Sequence, residues 1–328
     1  MLALALESSC DESSVALVDD RRRVLGALVH SQLEHSRYGG IVPELAARDH
    51  LEKLPQLVAT VLSETGRPGS DVDLVAVTRG PGLAGCLLVG AGLAEGLAAA
   101  WERPLVGVNH LWGHVYAALL ARPELEPPLL ALVVSGAHTD LVRMPAHGIF
   151  EVLGRTRDDA AGEAFDKAAR MLGLGYPGGP ALDRAARLGD WTRQPLPVPS
   201  LRGLEFSFSG LKTALLYRLR DLGGPDTAGS ETVQDLAAAF ERSVVEALVG
   251  KLAAALRVHP HRQVVVAGGV AANTLLRRRA GEVVAGRARL TIPPLDLCTD
   301  NAAMIGVAAF HVPRGSTGTV DPGLGWAP

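Results

Sequence analysis

The order of predicted strands and helices recurs in the two halves of the chain, and this repeat restricts the fold more than any other feature. The first half opens with an apolar strand at residues 2–7, a polar turn, and strands at 14–19 and 24–29, and then alternates helix with strand. The second half repeats this order from residue 129, with its polar turn at 135–138. Alternating strands and helices form parallel sheets, so we expect an α/β chain with two similar lobes.

A linker rich in proline and glutamate at residues 122–128 separates the two halves. It predicts an N-terminal lobe of residues 1–127 and a C-terminal lobe of residues 128–311. Residues 312–328 are then a tail, which we expect to pack back on the N-terminal lobe. A chain of 328 residues, 48% of them apolar, is long enough to give each lobe its own core.

Charge and cysteine content exclude some classes of protein. The formal net charge of −3 argues against a polybasic coat, so nucleic-acid binding would need a local basic patch. Cys10, Cys86 and Cys298 are far apart and lack metal-ligand spacing, which is typical of a reducing compartment and predicts a cytoplasmic protein. Residues 82–101 are long and apolar, but Glu95 near their centre favours a helix buried in protein, and we expect no membrane contact.

Two histidines, His110 and His114, lie four residues apart where an apolar strand gives way to a helix. This spacing puts both imidazoles on one helix face, with Cβ atoms roughly 6 Å apart, so both rings can reach one divalent ion. Strand-to-helix junctions are also where open α/β sheets bind ligands. On the pair alone, core packing and metal binding are equally good interpretations.

The polar turns after the first strand of each half are candidates for binding phosphate. Small residues in the turns at 8–14 and 135–139 allow consecutive backbone N–H groups to point at an anion. A glycine pair at 268–269 precedes Asn273 at a helix start, where a sugar or a flat ring could approach closely and the helix dipole favours anions. A tight strand-to-helix turn explains the glycine pair equally well.

Three aspartates at predicted helix starts add carboxylates to this arrangement. The acidic residues at 158–167 are typical of a solvated helix cap, although Asp166 would face a cleft between the lobes and accept hydrogen bonds from ribose hydroxyls. Asp183 follows a rigid loop at 176–180. Asp300 reads most simply as an N-cap. If the lobes are equivalent, however, Asp300 and His110 occupy corresponding junctions, and Asp300 completes a 2-His-1-carboxylate metal site.

Seven segments in this order closely resemble the universal tRNA threonylcarbamoyladenosine transferase family and together cover nearly the whole chain. They are residues 6–12, 110–114, 158–167, 176–180, 206–213, 267–273 and 298–304. The resemblance implies the two-lobed fold of actin, hexokinase and the heat-shock chaperones (ASKHA), with a cleft between duplicated lobes. This agrees with the repeated order of strands and helices.

The resemblance also implies a site and a reaction. The metal ligands would be His110, His114 and Asp300, with Fe²⁺ as the first choice and Zn²⁺ or Mg²⁺ as alternatives. The protein would transfer the threonylcarbamoyl group of threonylcarbamoyl-AMP to N6 of the adenosine 3′ of the anticodon, in tRNAs that read codons beginning with A, and release AMP. Asp11 and Glu12 are candidates for accepting the amine proton. The implied ligand contacts are Val133, Val134, Ser135, Gly136, Ala137, Asp166, Gly179, Asp183 and Asn273.

Bacterial members of this family work with two small partner proteins, an inactive paralogue and an ATPase, and the resemblance implies the same partners here. One residue departs from the family pattern, since Ala137 stands where the family usually has glycine. If that glycine is needed for a positive φ, alanine costs about 1 kcal/mol. If the glycine serves only for close approach of the ligand, one methyl group is tolerated.

Two other functions compete with the transferase. The histidine pair suggests a zinc peptidase, but the helical peptidase motif places a glutamate directly after the first histidine, and Leu111 stands there. An ATP-hydrolysing kinase or chaperone of the same fold has no discriminating feature in the sequence. Phosphate release from ATP alone would distinguish it from the transferase.

Overall fold

Two five-stranded mixed sheets carry the fold in the computed structural model, which describes residues 1–38, 40–312 and 319–326. The strands are β1 (Leu2–Glu7), β2 (Glu12–Asp19), β3 (Val24–Ser31), β4 (Leu74–Gly80), β5 (Leu105–Asn109), β6 (Leu129–Val134), β7 (Thr139–Ala146), β8 (Ile149–Arg155), β9 (Gln263–Ala267) and β10 (Arg289–Thr291). The helices are α1 (Pro43–Thr65), α2 (Ala84–Trp101), α3 (His110–Ala121), α4 (Ala161–Met171), α5 (Gly178–Ala186), α6 (Ser209–Asp221), α7 (Pro225–Val258), α8 (Thr274–Val284) and α9 (Ala302–Ala309).

Contacts within the chain define two compact units. Unit 1 contains Met1–Pro127, Met144–Phe150 and the described residues from Pro293 onward. Unit 2 contains Pro128–Arg143 and Glu151–Ile292. The chain therefore returns to unit 1 after residue 292, and α9 belongs to the same unit as β1 to β5.

The sheet of unit 1 has the strand order β3-β2-β1-β4-β5. The pairs β1–β2 and β2–β3 are antiparallel, whereas β1–β4 and β4–β5 are parallel. The inner strands β1, β2 and β4 are buried almost throughout, as expected for strands covered on both faces. Helices α1 and α2 pack on the sheet, and Leu54 and Val58 of α1 join Leu4, Leu17 and Val75 in one core. Burial of each such side chain contributes about 1.5–3 kcal/mol.

The sheet of unit 2, taken from its other edge, has the order β8-β7-β6-β9-β10. Strands β6 to β10 therefore occupy the places that β1 to β5 occupy in the first sheet. Strand β6 is buried throughout and pairs with β9 in parallel. The predicted repeat is therefore present at the level of sheet topology, and the predicted α/β fold class is confirmed.

Two helices of unit 2 differ from the sequence prediction. The segment predicted as a rigid loop at 176–180 contains the start of α5, and α6 was not predicted at all. The acidic segment explains α6, because Asp158 accepts hydrogen bonds from Phe208 N (2.8 Å) and Ser209 Oγ (2.7 Å) at the start of that helix. The carboxylate of Asp158 therefore anchors a helix about 50 residues away instead of capping its own helix.

Helix α2 is the one helix among the described residues that is long and apolar enough to cross a membrane. Only 33% of its apolar window is buried within the chain, so it is less covered than the buried helix that the sequence favoured. A core helix of a soluble protein passes the same test of length and composition.

Candidate metal centre and ligand turns

His110, His114 and Asp300 come together in unit 1, with one ligand atom of each within 4.8 Å of the others. Asp300 Oδ1 lies 3.5 Å from His110 Nε2 and 3.4 Å from His114 Nε2. Ligand atoms about 2.1 Å from one ion at a tetrahedral angle are about 3.4 Å apart. The two distances from Asp300 to the imidazoles therefore match those of ligands that share one metal ion, and the group could hold one.

Asparagines make the N-caps of α3 and α9, so the nearby side chains of His110 and Asp300 are not used for capping. Asn109 accepts a hydrogen bond from Leu111 N (2.9 Å) and caps α3, so His110 takes the first helical position. Asn301 accepts from Met304 N (3.0 Å) and caps α9. The simplest interpretation of Asp300 as an N-cap is therefore wrong. Asp300 precedes the cap, with its carboxylate turned towards the histidines.

Equivalent lobes would place Asp300 in the second lobe, but in the structure Asp300 lies in unit 1. The chain returns to unit 1 at Pro293, and the helix that follows Asp300 belongs to the same unit as His110 and His114. All three side chains therefore lie in one compact unit, at the starts of helices α3 and α9.

Glu7, at the end of β1, orients the first histidine. Glu7 Oε2 accepts hydrogen bonds from His110 Nδ1 (2.9 Å) and Thr78 Oγ1 (2.6 Å), and Oε1 accepts from Ser9 N (2.6 Å). Burial raises the pKa of Glu7, but the charge and hydrogen bond of His110 outweigh burial and hold that pKa below its usual range. A carboxylate that accepts from Nδ1 leaves Nε2 as the metal-facing nitrogen, which is the arrangement common to protein metal sites.

Asp11 lies in the turn between β1 and β2, and Glu12 is the first residue of β2, in the same unit as the metal group. Burial, together with the negative charges of Asp300 and Asp11, raises the pKa of Glu12 to about 10. A bound cation would oppose these two charge effects and lower the pKa again. The roles of Asp11 and Glu12 as proton acceptors stay predictions.

The turn after β6 in unit 2 has the open geometry expected of a ligand site. A Cβ atom built on Gly136 meets nothing within 4 Å, whereas one built on Gly162 lies 2.5 Å from Ser135 O. Ser135 O and Gly136 O accept hydrogen bonds from Gly162 N (3.2 Å) and Glu163 N (3.1 Å). The first turn of α4 therefore fixes the position of this turn.

Ala137 does not strain this turn. Among the described residues other than glycine, a positive φ occurs only at Arg22 and Glu102. Ala137 therefore adopts an ordinary backbone conformation, and the penalty of about 1 kcal/mol for a left-handed residue does not arise. A positive φ is therefore not needed at this position. The remaining explanation for the family's glycine is close approach of the ligand to the backbone.

The other predicted ligand residues occupy neighbouring parts of unit 2. Asp166 Oδ1 accepts from Gly178 N (2.9 Å) at the start of α5, the helix that also carries Gly179 and Asp183. Asn273 caps α8 and donates from Nδ2 to Asp183 Oδ1 (3.2 Å). A Cβ atom on Gly268 would lie 2.4 Å from Val134 O, so the glycine pair lies against the end of the β6 strand that carries Val133 and Val134. Ligand contacts by these side chains stay predictions.

Glu241, which was not predicted as a site residue, belongs to the same network. Its Oε1 accepts from Asn273 Nδ2 (2.7 Å), and its residue is only 6% exposed. Burial raises the pKa of Glu241 to about 8, and the nearby charge of Asp183 acts in the same direction. A glutamate directly after the apolar run Ala237 to Phe240 was the available signal.

Comparison with known proteins agrees with this fold. Component A of (R)-2-hydroxyglutaryl-CoA dehydratase from Acidaminococcus fermentans is 17% identical to the chain, covers 94% of it and 98% of its own length, and has a TM-score of 0.55. The chain has the actin/hexokinase-like fold, and it combines this fold with a group of residues able to hold a metal ion.

The family follows from the sequence relatives. The family model described as TsaD, tRNA N6-adenosine threonylcarbamoyltransferase, matches residues 23–307. Proteins named tRNA N6-adenosine threonylcarbamoyltransferase include one from Bordetella avium, 48% identical over 98% of this chain and 95% of its own, and one from Symbiobacterium thermophilum, 50% identical over 95% and 92%. The chain belongs to the tRNA N6-adenosine threonylcarbamoyltransferase family.

Proposed function

We propose that this protein transfers the threonylcarbamoyl group from threonylcarbamoyl-AMP to N6 of the adenosine 3′ of the anticodon, in tRNAs that read codons beginning with A. The observation that carries the proposal is the approach of His110, His114 and Asp300 to one point, since these are the positions at which the family resemblance implies a metal. N6 attacks the carbamoyl carbon, the bond from that carbon to the phosphate oxygen breaks, and AMP leaves with the electron pair. The N6 proton passes to a base, for which we propose Asp11 or Glu12.

The donor set of two imidazoles and one carboxylate suits Fe²⁺ first and Zn²⁺ second, whereas Mg²⁺ prefers oxygen ligands and is the least suited of the three predicted ions. A bound divalent ion would supply positive charge for the carbamoyl carbonyl or for the departing phosphate. The residues of the chain do the rest, since an exocyclic amine is a poor nucleophile and its reaction depends on positioning. Glu7 holds His110 in orientation through its 2.9 Å contact with Nδ1.

We propose that unit 2 binds the adenylate part of the ligand. The turn after β6 would bind the phosphate through backbone N–H groups at Gly136 and Ala137, beside Ser135, Val133 and Val134. Asp166, Gly179, Asp183 and Asn273 would contact the nucleoside. Open space over Gly136 and the ordinary backbone at Ala137 support this assignment.

The assignment of the turn predicts the effect of a branched side chain at Gly136. Valine there has room within the folded chain, since a Cβ atom meets nothing within 4 Å, but it occupies the approach to the backbone. We expect Gly136→Val to fold with nearly wild-type stability and to weaken binding of AMP at least about 10-fold. Isothermal titration with AMP measures this. Gly250→Val, another open glycine on α7, is the control. Equal AMP affinity in Gly136→Val and wild type would remove the turn from the phosphate site.

The reaction itself is tested by the identity of the released product. Purified protein with threonylcarbamoyl-AMP, partner proteins and tRNA should release AMP in proportion to modified tRNA, and protein with ATP alone should release no phosphate. Steady phosphate release from ATP alone would favour a kinase or chaperone of the same fold. The comparisons do not favour that alternative, nor a peptidase.

We propose that an inactive paralogue of the family binds unit 1 at the surface of helices α1 and α2. These helices border an apolar groove of about 300 Å³, lined by His50, Leu51, Leu54, Pro55, Leu88, Val89, Gly92 and Leu93. Leu51 and Leu88 line this groove and are 66% and 61% exposed, so the groove presents apolar side chains at the surface. A partner protein on this surface accounts for the exposed apolar face of α2 without a membrane, in a cytoplasmic protein. The family's small ATPase would be a second partner.

A charge in the groove should weaken this interaction. We expect Leu88→Asp to raise the Kd for the purified paralogue at least about 10-fold, because it places a carboxylate in an apolar interface. Analytical ultracentrifugation or titration calorimetry measures the Kd. Leu216→Asp, at a leucine that is 49% exposed on α6 of unit 2, is the matched control. Wild-type affinity in Leu88→Asp would place the paralogue on another surface.

A further inference from the structure

The turn at residues 8–14, whose last three residues begin strand β2, contacts both chain segments that supply the metal ligands. Ser9 Oγ lies 3.3 Å from His110 Nδ1, beside the stronger contact from Glu7. At the other end of the turn, Ser14 Oγ accepts a hydrogen bond from Ala302 N (2.9 Å), two residues after Asp300. The position of the turn therefore affects the first histidine and the aspartate together, although these residues are far apart in sequence.

His50 of α1 contacts the middle of this turn through both of its ring nitrogens. Its Nε2 lies 2.9 Å from the carbonyl oxygen of Cys10, and its Nδ1 lies 2.7 Å from Ser13 Oγ. A carbonyl oxygen only accepts, so Nε2 carries a proton and donates to the Cys10 carbonyl. Burial lowers the pKa of His50 and favours the neutral ring, in which Nδ1 accepts from the Ser13 hydroxyl. One neutral imidazole thus joins two points of the turn that are three residues apart.

The location of His50 makes this pair of bonds costly to replace. The buried face of α1 consists of Ala46, His50, Leu54, Val58 and Val61. His50 is the polar side chain on this otherwise apolar face. The residue is 0% exposed, so water does not compete for the two hydrogen bonds. A buried polar group that is fully satisfied in this way fixes its partners more tightly than a surface group does.

We propose that His50 is a positioning residue for the metal centre, acting through the turn at residues 8–14. Its bonds to Cys10 and Ser13 set where Ser9 meets His110 and where Ser14 meets the start of α9. His50 does not touch the metal group, and it holds Asp11 and Glu12 in place by the same two bonds. The inference rests on the proposed metal site at His110, His114 and Asp300.

The test is Zn²⁺ affinity, measured by competition with a chromophoric chelator on the full chain. We expect His50→Ala to weaken Zn²⁺ binding about 10-fold, at the lower end of the effect of outer groups on metal ligands. Ser13→Ala removes one of the two bonds and should weaken binding about fivefold. His50→Gln keeps a donor that can reach the Cys10 carbonyl, so its affinity should lie between those of His50→Ala and wild type.

A role in stability alone would give a different pattern. Val58→Ala removes a buried side chain two turns further along the same face of α1 and lies far from the turn. It should lower the melting temperature and leave Zn²⁺ affinity within about twofold of wild type. Circular dichroism at the assay temperature establishes that each variant is folded.

Failure of the inference and failure of the metal site give different results. A wild-type chain that binds no Zn²⁺, or an Asp300→Ala chain that binds it normally, overturns the proposed site and the inference with it. Normal Zn²⁺ affinity in folded His50→Ala, beside a wild type that binds and an Asp300→Ala that does not, overturns the inference alone. If His50→Ala does not fold, normal affinity in both Ser13→Ala and His50→Gln has the same meaning.

Discussion

Replacement of Asp300 by alanine is expected to remove most of the bound metal and to lower threonylcarbamoyl transfer about 100-fold or more, while the chain stays folded. Asp300 supplies the single carboxylate of the group, 3.4–3.5 Å from both imidazole nitrogens. Asn301 makes the N-cap of α9, so loss of the Asp300 side chain leaves that helix capped. Metal content per chain by inductively coupled plasma mass spectrometry measures the effect, beside the melting temperature.

Asp296 provides the matched control for this experiment. It is an exposed aspartate four residues earlier, in the short 3₁₀ helix before α9. Asp296→Ala should keep the wild-type metal content and activity, because its carboxylate does not belong to the metal group. Stoichiometric metal retained in Asp300→Ala would remove Asp300 from the ligand set.

Replacement of Glu7 by glutamine should weaken metal binding about 10- to 100-fold, although Glu7 does not belong to the metal group. Its two carboxylate oxygens accept from three donors, namely His110 Nδ1, Thr78 Oγ1 and Ser9 N. A glutamine turns one acceptor into a donor, so in either orientation of the amide at least one donor faces another. The buried mismatch should also lower the free energy of unfolding by about 1–3 kcal/mol.

The two effects of Glu7→Gln are separated by metal titration and chemical denaturation of the same protein. Glu52→Gln, at an exposed glutamate of α1 that pairs with Lys53, is the control and should change neither quantity. A Glu7→Gln chain that binds metal as tightly as wild type would show that the orientation of His110 does not depend on this carboxylate.

Local sequence patterns predicted much of the fold because the strands and helices concerned are defined by their own residues. Strands β1 and β6 are short apolar runs that stay buried, and α1 follows a helical spacing of apolar residues. Helix α6 escaped prediction because its start depends on Asp158, some 50 residues earlier, a contact that no local pattern contains. The apolar pattern predicts a helix over residues 232–256, and α7 is longer because a short helical segment from Pro225 joins it across non-helical backbone at Gly229.

For the metal group, too, one part can be predicted from local sequence and another part depends on contacts between distant segments. His110 and His114 lie on one face of α3 because four residues make about one helical turn, and the sequence reveals this directly. The approach of Asp300 depends on the return of the chain to unit 1, which only the three-dimensional structure contains. His50 and Glu241 were missed because each lies on a helix next to apolar residues whose spacing predicts core packing, and their polar partners are distant in sequence.

The central claim is that this chain modifies adenosine in tRNA, and nucleoside analysis tests it most directly. Unmodified tRNA that reads codons beginning with A would be incubated with the metal-loaded protein, threonylcarbamoyl-AMP and the partner proteins, then digested and analysed by mass spectrometry. We predict N6-threonylcarbamoyladenosine at the position 3′ of the anticodon with wild-type protein, and little or none with Asp300→Ala. Unmodified adenosine at that position after incubation with folded, metal-loaded wild-type protein and both partners would contradict the claim.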